Sequence, residues 1–199
     1  SVKAVVNVTT DKCYENNDKN WAYRENDRLG GHDPYSNSKA CSELVTASFR
    51  SSYFDENKYQ MHGVALATAR AGNVIGGGDW SKDRLIPDIL RSLIAQVPIN
   101  IRNPNSVRPW QHVLEPILGY LILGNNLANE PLQFSEAFNF GPSLENTLTV
   151  KSLVDKILKV WIEAFNTLEN NKPLTSLVRI ENVEMCKEAI QRYNILIVS

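Results

Sequence analysis

Apolar residues follow two periods along this chain. The β-branched, apolar Val5, Val6 and Val8 predict a buried strand over 3–9. Polar, turn-rich stretches ("ENNDKN", "GGHDP") predict a long loop over 15–34. Ala40, Leu44, Val45, Ala47 and Phe49 then line one face of a helix predicted over 35–54. "HGVALATAR" predicts a second buried strand over 62–70, and "AGNVIGGGDW" a Gly-rich loop over 71–80. A helix follows over 84–96, with Pro87 near the first turn, where a missing N–H is tolerated. A short strand over 97–103, an apolar helix over 112–128 and a strand over 137–141 come next. Val150, Leu153, Val154, Ile157, Leu158 and Trp161 form the stripe of an amphipathic helix over 149–165. Strand, crossover helix, strand is the βαβ signal, so the expected frame is a parallel sheet.

Ligands in such sheets bind outside the carboxyl ends of the strands. Thr10, Asp11 and Lys12 fall at the end of the first predicted strand, and Asn73 follows the second. By themselves the three residues also fit a turn closed by an Asx hydrogen bond. Tyr35 and Lys39 are four apart at the start of the crossover helix, so they share a face. An ammonium beside a phenol favours the phenolate, which suits Tyr35 to accept an alcohol proton. The same pair also fits an ordinary exposed helix turn. Its place directly after the Thr-Asp-Lys strand gives it weight.

Composition narrows the partners. The 199 residues are 43% hydrophobic, an ordinary globular balance. Lys plus Arg number 21 against 22 for Asp plus Glu, so charge gives no reason to expect nucleic acid or an anionic membrane. The most apolar stretch, "ILGYLILG", falls well short of the ~20 residues of a membrane span. Cys13, Cys41 and Cys186 show neither zinc spacing nor a disulfide framework, which fits a reducing cytoplasm. His32 and His62 lack ligand spacing, so no metal is expected, and His112 reads as a structural hydrogen-bonder. There is no signal-peptide pattern, and the absence of an initiator Met suggests a segment of something longer.

"TTDKCY", "YSNSK", "RAGNVIGGGDW", "DRLIPD" and "VRPWQHVLEP", taken together over about residues 4–155, resemble the extended short-chain dehydrogenase/reductase family. Within it they are most similar to the CDP-glucose 4,6-dehydratase branch. The resemblance implies an α/β fold in two parts. The C-terminal half of a Rossmann-type parallel sheet would occupy 1–78. A smaller sugar-nucleotide-binding α/β domain would occupy 79–199, with the helix near 112–128 packing back on the first part.

It also implies bound NAD, with Thr9, Tyr35, Lys39, Ala71, Asn73 and Val74 on the nicotinamide side. That site is incomplete: "GGG" at 76–78 lacks the G-x-G-x-x-G spacing, and the family's phosphate loop would precede Ser1.

The catalytic residues implied are Thr10, Asp11, Lys12, Tyr35 and Lys39. Tyr35 would take the proton of the sugar 4-hydroxyl, with Lys39 keeping it ionised and holding the ribose. Thr10 would bond the 4-oxygen, and Asp11 would protonate the departing 6-hydroxyl. Lys12 stands where thymidine-sugar relatives carry the Glu that removes the C5 proton, and would need to be neutral to do so.

A sugar diphosphate calls for guanidinium forks and amides. The family pattern places Asn73, Arg84, Leu85, Arg102 and Arg108 on the substrate. Taken alone, Arg108 also fits stacking on Trp110, and Arg84 a plain helix start. The implied partner is CDP-glucose, and intact relatives are homodimers through the helix that begins at Tyr35 and the one before it. The tail "NKPLTSLVRIENVEMCKEAIQRYNILIVS" does not supply the Leu-Gly-Trp-x-Pro segment of relatives. Three readings stay open: a dehydratase of which this is an inactive part, an epimerase of the same family, and a non-catalytic remnant or binding module. An epimerase needs the Tyr and Lys but not Asp11 and Lys12.

Overall fold

The computed structural model describes residues 2–16, 22–143 and 147–169. It divides into two compact units, residues 1–76 with 109–146, and residues 77–108 with 147–199.

The first unit is built on a parallel sheet. Strand β1 (Ala4–Val8) lies parallel to β2 (Ala65–Ala71), in register from Ala4 opposite Ala65 to Val8 opposite Ala69. Parallel neighbours need a crossover, and helix α1 (Pro34–Ser52) provides it. Asp33 caps that helix by accepting the backbone N–H of Ser36 at 3.0 Å, and Pro34 occupies the first turn, where its missing donor is harmless. The Ser36 hydrogen bonds hold the Asp33 carboxyl below its ordinary value. A short helix, α2 (Tyr59–His62), ends at Gly63 in the left-handed region and leads into β2.

All seven residues of β2 are buried, and the pleat sends them to two different environments. Ala65, Ala67 and Ala69 pack with Leu123 and Leu127. Thr68 and Arg70 turn toward α1. Small residues on the first face let a helix close down on the strand.

The chain continues through β3 (Val74–Ile75), α3 (Leu85–Ala95) and β4 (Val107–Pro109) to β5 (Gln111–His112), which pairs in parallel with β3. Helix α4 (Leu114–Asn129) then covers β1 and β2, and a short α5 (Pro131–Phe134) leads into β6 (Ala137–Phe140). Strand β6 is parallel to β2, so the sheet order is β1-β2-β6. At Gly119 a Cβ would lie 2.5 Å from the Phe140 ring, so only a side-chain-free position lets α4 close on β6. No described helix is long and apolar enough to cross a membrane.

In the second unit, α3 buries Ile89 and stops at Gln96, whose left-handed backbone (φ 54) closes the helix end. Strand β4 pairs with β7 (Thr147–Thr149), which runs into α6 (Val150–Glu169). Val150, Leu153 and Val154 form the buried stripe of α6.

One expectation is corrected. Residues 97–103 form no strand, and Pro98 removes a ladder donor at the point where pairing would start. Arg102 is therefore a loop residue. Residues 109–146 belong to the first unit, and they include the helix expected near 112–128, which lies on β1 and β2. The physical reason is β6, which completes that unit's sheet, and α4, which covers it. The C-terminal tail from residue 170, with Cys186, lies outside the described residues.

Candidate active site

Strand β1 ends by delivering Thr9, Thr10, Asp11 and Lys12 to the carboxyl edge of the sheet. Thr10 caps a single 3-10 turn over Asp11–Cys13, its hydroxyl accepting from the Lys12 N–H at 3.4 Å. That hydroxyl lies 3.1 Å from Asp11 Oδ1 and 3.4 Å from the Ala71 carbonyl. The triplet thus forms a turn at the strand end, closed by the Thr10 hydroxyl.

Lys12 Nζ donates to Asp11 Oδ1 at 3.2 Å and to Asn73 Oδ1 at 3.5 Å. The Asp11 and Lys12 side chains keep 34% and 41% of their surface exposed, so the pair is open to a ligand. Gly72 permits this approach, because a Cβ there would lie 2.9 Å from Asp11 Oδ2 and 3.0 Å from Pro109 Cγ. Asn73 is held from behind, its carbonyl accepting the Gln111 N–H at 3.2 Å. Gln111 in turn donates its side chain to the Phe140 carbonyl at 3.2 Å. The ends of β1, β2 and β6 therefore converge, with Ala71 buried at the end of β2 and Val74 exposed after it.

Helix α1 packs against the 3-10 turn, with Cys13 and Ala40 in one small core. Tyr35 is exposed on its first turn, and Lys39, one turn on, is half-buried. Neither the phenol nor the ammonium has a hydrogen-bond or ion-pair partner among the described residues. Burial pushes the neighbouring Cys13 thiol up to about 12, so it stays protonated and unreactive at neutral pH.

The substrate-side candidates other than Asn73 belong to the second unit. Arg84 pairs with the half-buried Asp79 at 2.9 Å, and Arg102 with Asp83 at 2.8 Å, the other three positions being exposed. Arg108 donates to the Val107 carbonyl at 2.9 Å and has no carboxylate partner among the described residues. Leu85 is the first residue of α3.

Sequence reasoning missed the most buried charges. Glu43 and Arg70 are 3% and 4% exposed and pair at 2.8 Å. Burial would raise the Glu43 carboxyl, but hydrogen bonds from Arg70, Thr9 and Thr68 outweigh it and hold the group below its ordinary value. For Arg70, burial opposes the charge while bonds to Glu43 and Tyr14 reinforce it, and the guanidinium stays ionised. Burial raises the Tyr14 phenol despite its bond from Arg70. The legible signal was the Arg in "ALATARA", since a charge inside a buried strand requires a partner. The Thr9 hydroxyl, expected on the cofactor side, instead donates inward to Glu43.

No family model matches the chain. It is 58% identical over 161 residues to the CDP-glucose 4,6-dehydratase of Salmonella typhimurium, a match covering 81% of this chain and 45% of that protein. The chain thus spans about half the length of that curated relative. A dTDP-glucose 4,6-dehydratase double mutant of Streptomyces venezuelae, solved with NAD bound, superposes with a TM-score of 0.63 and 26% identity, covering 80% of this chain and 44% of that one. A UDP-N-acetylglucosamine 4-epimerase of Methanobrevibacter ruminantium superposes with a TM-score of 0.62 and 23% identity, covering 80% and 47%. The epimerase likeness shows a shared fold.

Proposed function

We infer, from the 58% identity to a CDP-glucose 4,6-dehydratase, that the chain belongs to that family and that its first unit carries the acid–base steps of a sugar-nucleotide 4,6-dehydration, with CDP-glucose as substrate. One observation carries the reading: an acid and an amine in mutual hydrogen bond at a parallel strand end, the amine also reaching Asn73. An epimerase has no use for such a pair, because it eliminates nothing, so the contact favours dehydration.

The residues fit the nicotinamide end of NAD. Tyr35 and Lys39 offer a phenol and an ammonium on one helix face, and Gly72 keeps side chains away from the backbone between Ala71 and Val74. When bound there, NAD would supply hydride acceptance from C4 and hydride return to C6. The pyrophosphate needs a G-x-G-x-x-G cradle that these 199 residues do not contain, so the chain alone is expected not to turn over.

Tyr35 accepts the 4-hydroxyl proton, with Lys39 stabilising the phenolate. Thr10 turns its hydroxyl from Asp11 to the 4-oxygen. The resulting ketone acidifies the C5 proton, which Lys12 removes in its neutral form while Asp11 protonates the leaving 6-hydroxyl. The 3.2 Å contact places the acid and the base of the elimination side by side. Arg108 is the first choice for the diphosphate, since Arg84 and Arg102 are already neutralised by Asp79 and Asp83. Leu85 and Arg102 would border the nucleoside. The same reading places the reaction in the cytoplasm. It pairs the intact protein as a homodimer through α1, whose Leu44, Val45 and Phe49 are exposed.

The test is a chimera in which residues 4–155 replace the matching segment of the Salmonella enzyme. Supplied with NAD and CDP-glucose in deuterated water, it should form a 4-ketosugar that absorbs in base and should incorporate deuterium at C5. Lys12→Met should abolish that incorporation. A folded chimera that forms no product refutes the reaction; unchanged incorporation in the variant removes Lys12 from the base role.

A further inference from the structure

We propose that Glu43 is a positioning residue: its carboxylate locks the α1 face bearing Tyr35 and Lys39 onto the strand end bearing Thr10 and Asp11. The inference rests on the reading of those four residues as one active site, and deepens it by naming what sets their spacing.

The argument begins with periodicity. Tyr35, Lys39 and Glu43 recur every four residues, so all three lie along one side of α1. Glu43 then reaches two strands. One carboxylate oxygen accepts from Thr9, the residue next to Thr10, and the other from Thr68 of β2 at 2.8 Å and Arg70 Nη2 at 2.8 Å. Arg70 extends the tie, its Nη1 donating to the Tyr14 hydroxyl at 2.7 Å and the Glu25 carbonyl at 2.9 Å. Tyr14 donates its own hydroxyl to Asn139 Oδ1 of β6 at 2.7 Å. Thr9 just after β1, strand β2, Tyr14 after the 3-10 turn and α1 therefore meet on one carboxylate–guanidinium pair, and Tyr14 links it to β6.

A second polar tie lies further along the helix. Asn7 of β1 donates to Ser42 at 3.1 Å and Thr46 at 2.7 Å. The contrast with the opposite face of the sheet is informative. There α4 sets its own Leu123 and Leu127 on Ala65, Ala67 and Ala69 of β2, a surface across which a helix can shift with gradual loss. The α1 face uses directional bonds, which break together if the helix slides or rolls. A buried ion pair is weak evidence of stabilisation, since an apolar pair of similar volume would serve as well or better. What it supplies is a unique register.

The experiment uses the full chain. A nitroxide label on Cys41, exposed on α1, with Cys186→Ser leaving one reactive thiol, should broaden the amide signals of Asp11–Cys13. In Glu43→Gln that broadening should be lost while broadening within α1 persists. Thr68→Val removes a bond to the same carboxylate away from β1 and should keep the parent profile. If Glu43→Gln does not fold, Thr9→Val carries the test, since it cuts the link to β1 and leaves the ion pair. A folded Glu43→Gln or Thr9→Val chain with the parent profile overturns the proposal, as does a parent chain without broadening at the turn. In the active chimera, Glu43→Gln should lower kcat and leave KM for CDP-glucose unchanged. A chimera inactive from the outset, alongside the expected label result, refutes the dehydration reading and leaves the tie standing.

Discussion

Glu43 and Arg70 occupy a dry part of the first unit, and the energetic consequence depends on which one is removed. Truncating one member of a buried pair strands the other charge, at a cost of about 3–5 kcal/mol. Glu43→Ala should therefore lower the urea-unfolding free energy by that order, while Glu43→Leu combined with Arg70→Met should recover most of the loss. The pH dependence has a definite sign. The Glu43 carboxyl is lowered on folding, so the unfolded chain binds the proton more readily. The contribution is complete above the unfolded carboxyl's value of about 4.3 and is lost as pH falls through the lower folded value. Denaturant titrations between neutral pH and mild acid should show the parent losing stability and Glu43→Gln losing less. At this scale the sequence was legible wherever chemistry depends on neighbours in the chain: Asp11 beside Lys12, Tyr35 four before Lys39. Glu43 was not legible, because its partners Thr9, Thr68 and Arg70 are brought to it by three separate elements.

At the scale of the element, packing is decided by absent side chains. Gly119 sits in the middle of α4, where glycine is a poor helix former. Its value lies in the Phe140 ring, which would meet a Cβ at 2.5 Å. Gly119→Ala gains helix propensity but forces α4 off β6, and overpacking of this kind costs about 1–3 kcal/mol. A lowered midpoint of thermal unfolding is the expected outcome, and an unchanged or raised one would show that α4 shifts freely. The main helices and the three parallel strands were legible as elements, but the face of α1 was not: Leu44, Val45 and Phe49 of its predicted stripe are exposed, and the helix buries Ser36, Ala40, Glu43 and Thr46 instead. The predicted strand over 97–103 failed for a related reason. Apolar residues alternate there, but a strand also needs a partner ladder, and pairing is a property of other parts of the chain.

At the scale of the whole molecule, β1 is the outer strand of the sheet among the described residues, with Val5 and Val8 partly exposed. An apolar parallel edge of this kind is a template for further pairing. The 199-residue chain is expected to self-associate at micromolar concentration, which light scattering would detect. A Val5→Lys variant should reduce the association without unfolding the unit. A monodisperse monomer in the parent chain would show that the edge is protected.

The sequence by itself determined the βαβ frame and the types of side chain at the strand ends. Those follow from local periodicity and from the chemistry of adjacent residues. It also held the motifs that point to the dehydratase family. Only the tertiary structure decided that Asn73 shares the Lys12 ammonium with Asp11 and that residues 109–146 complete the first unit. It alone joined α1 to the sheet through a buried charge pair. Each of these depends on distances between groups remote in the chain, and a linear pattern carries no such distances.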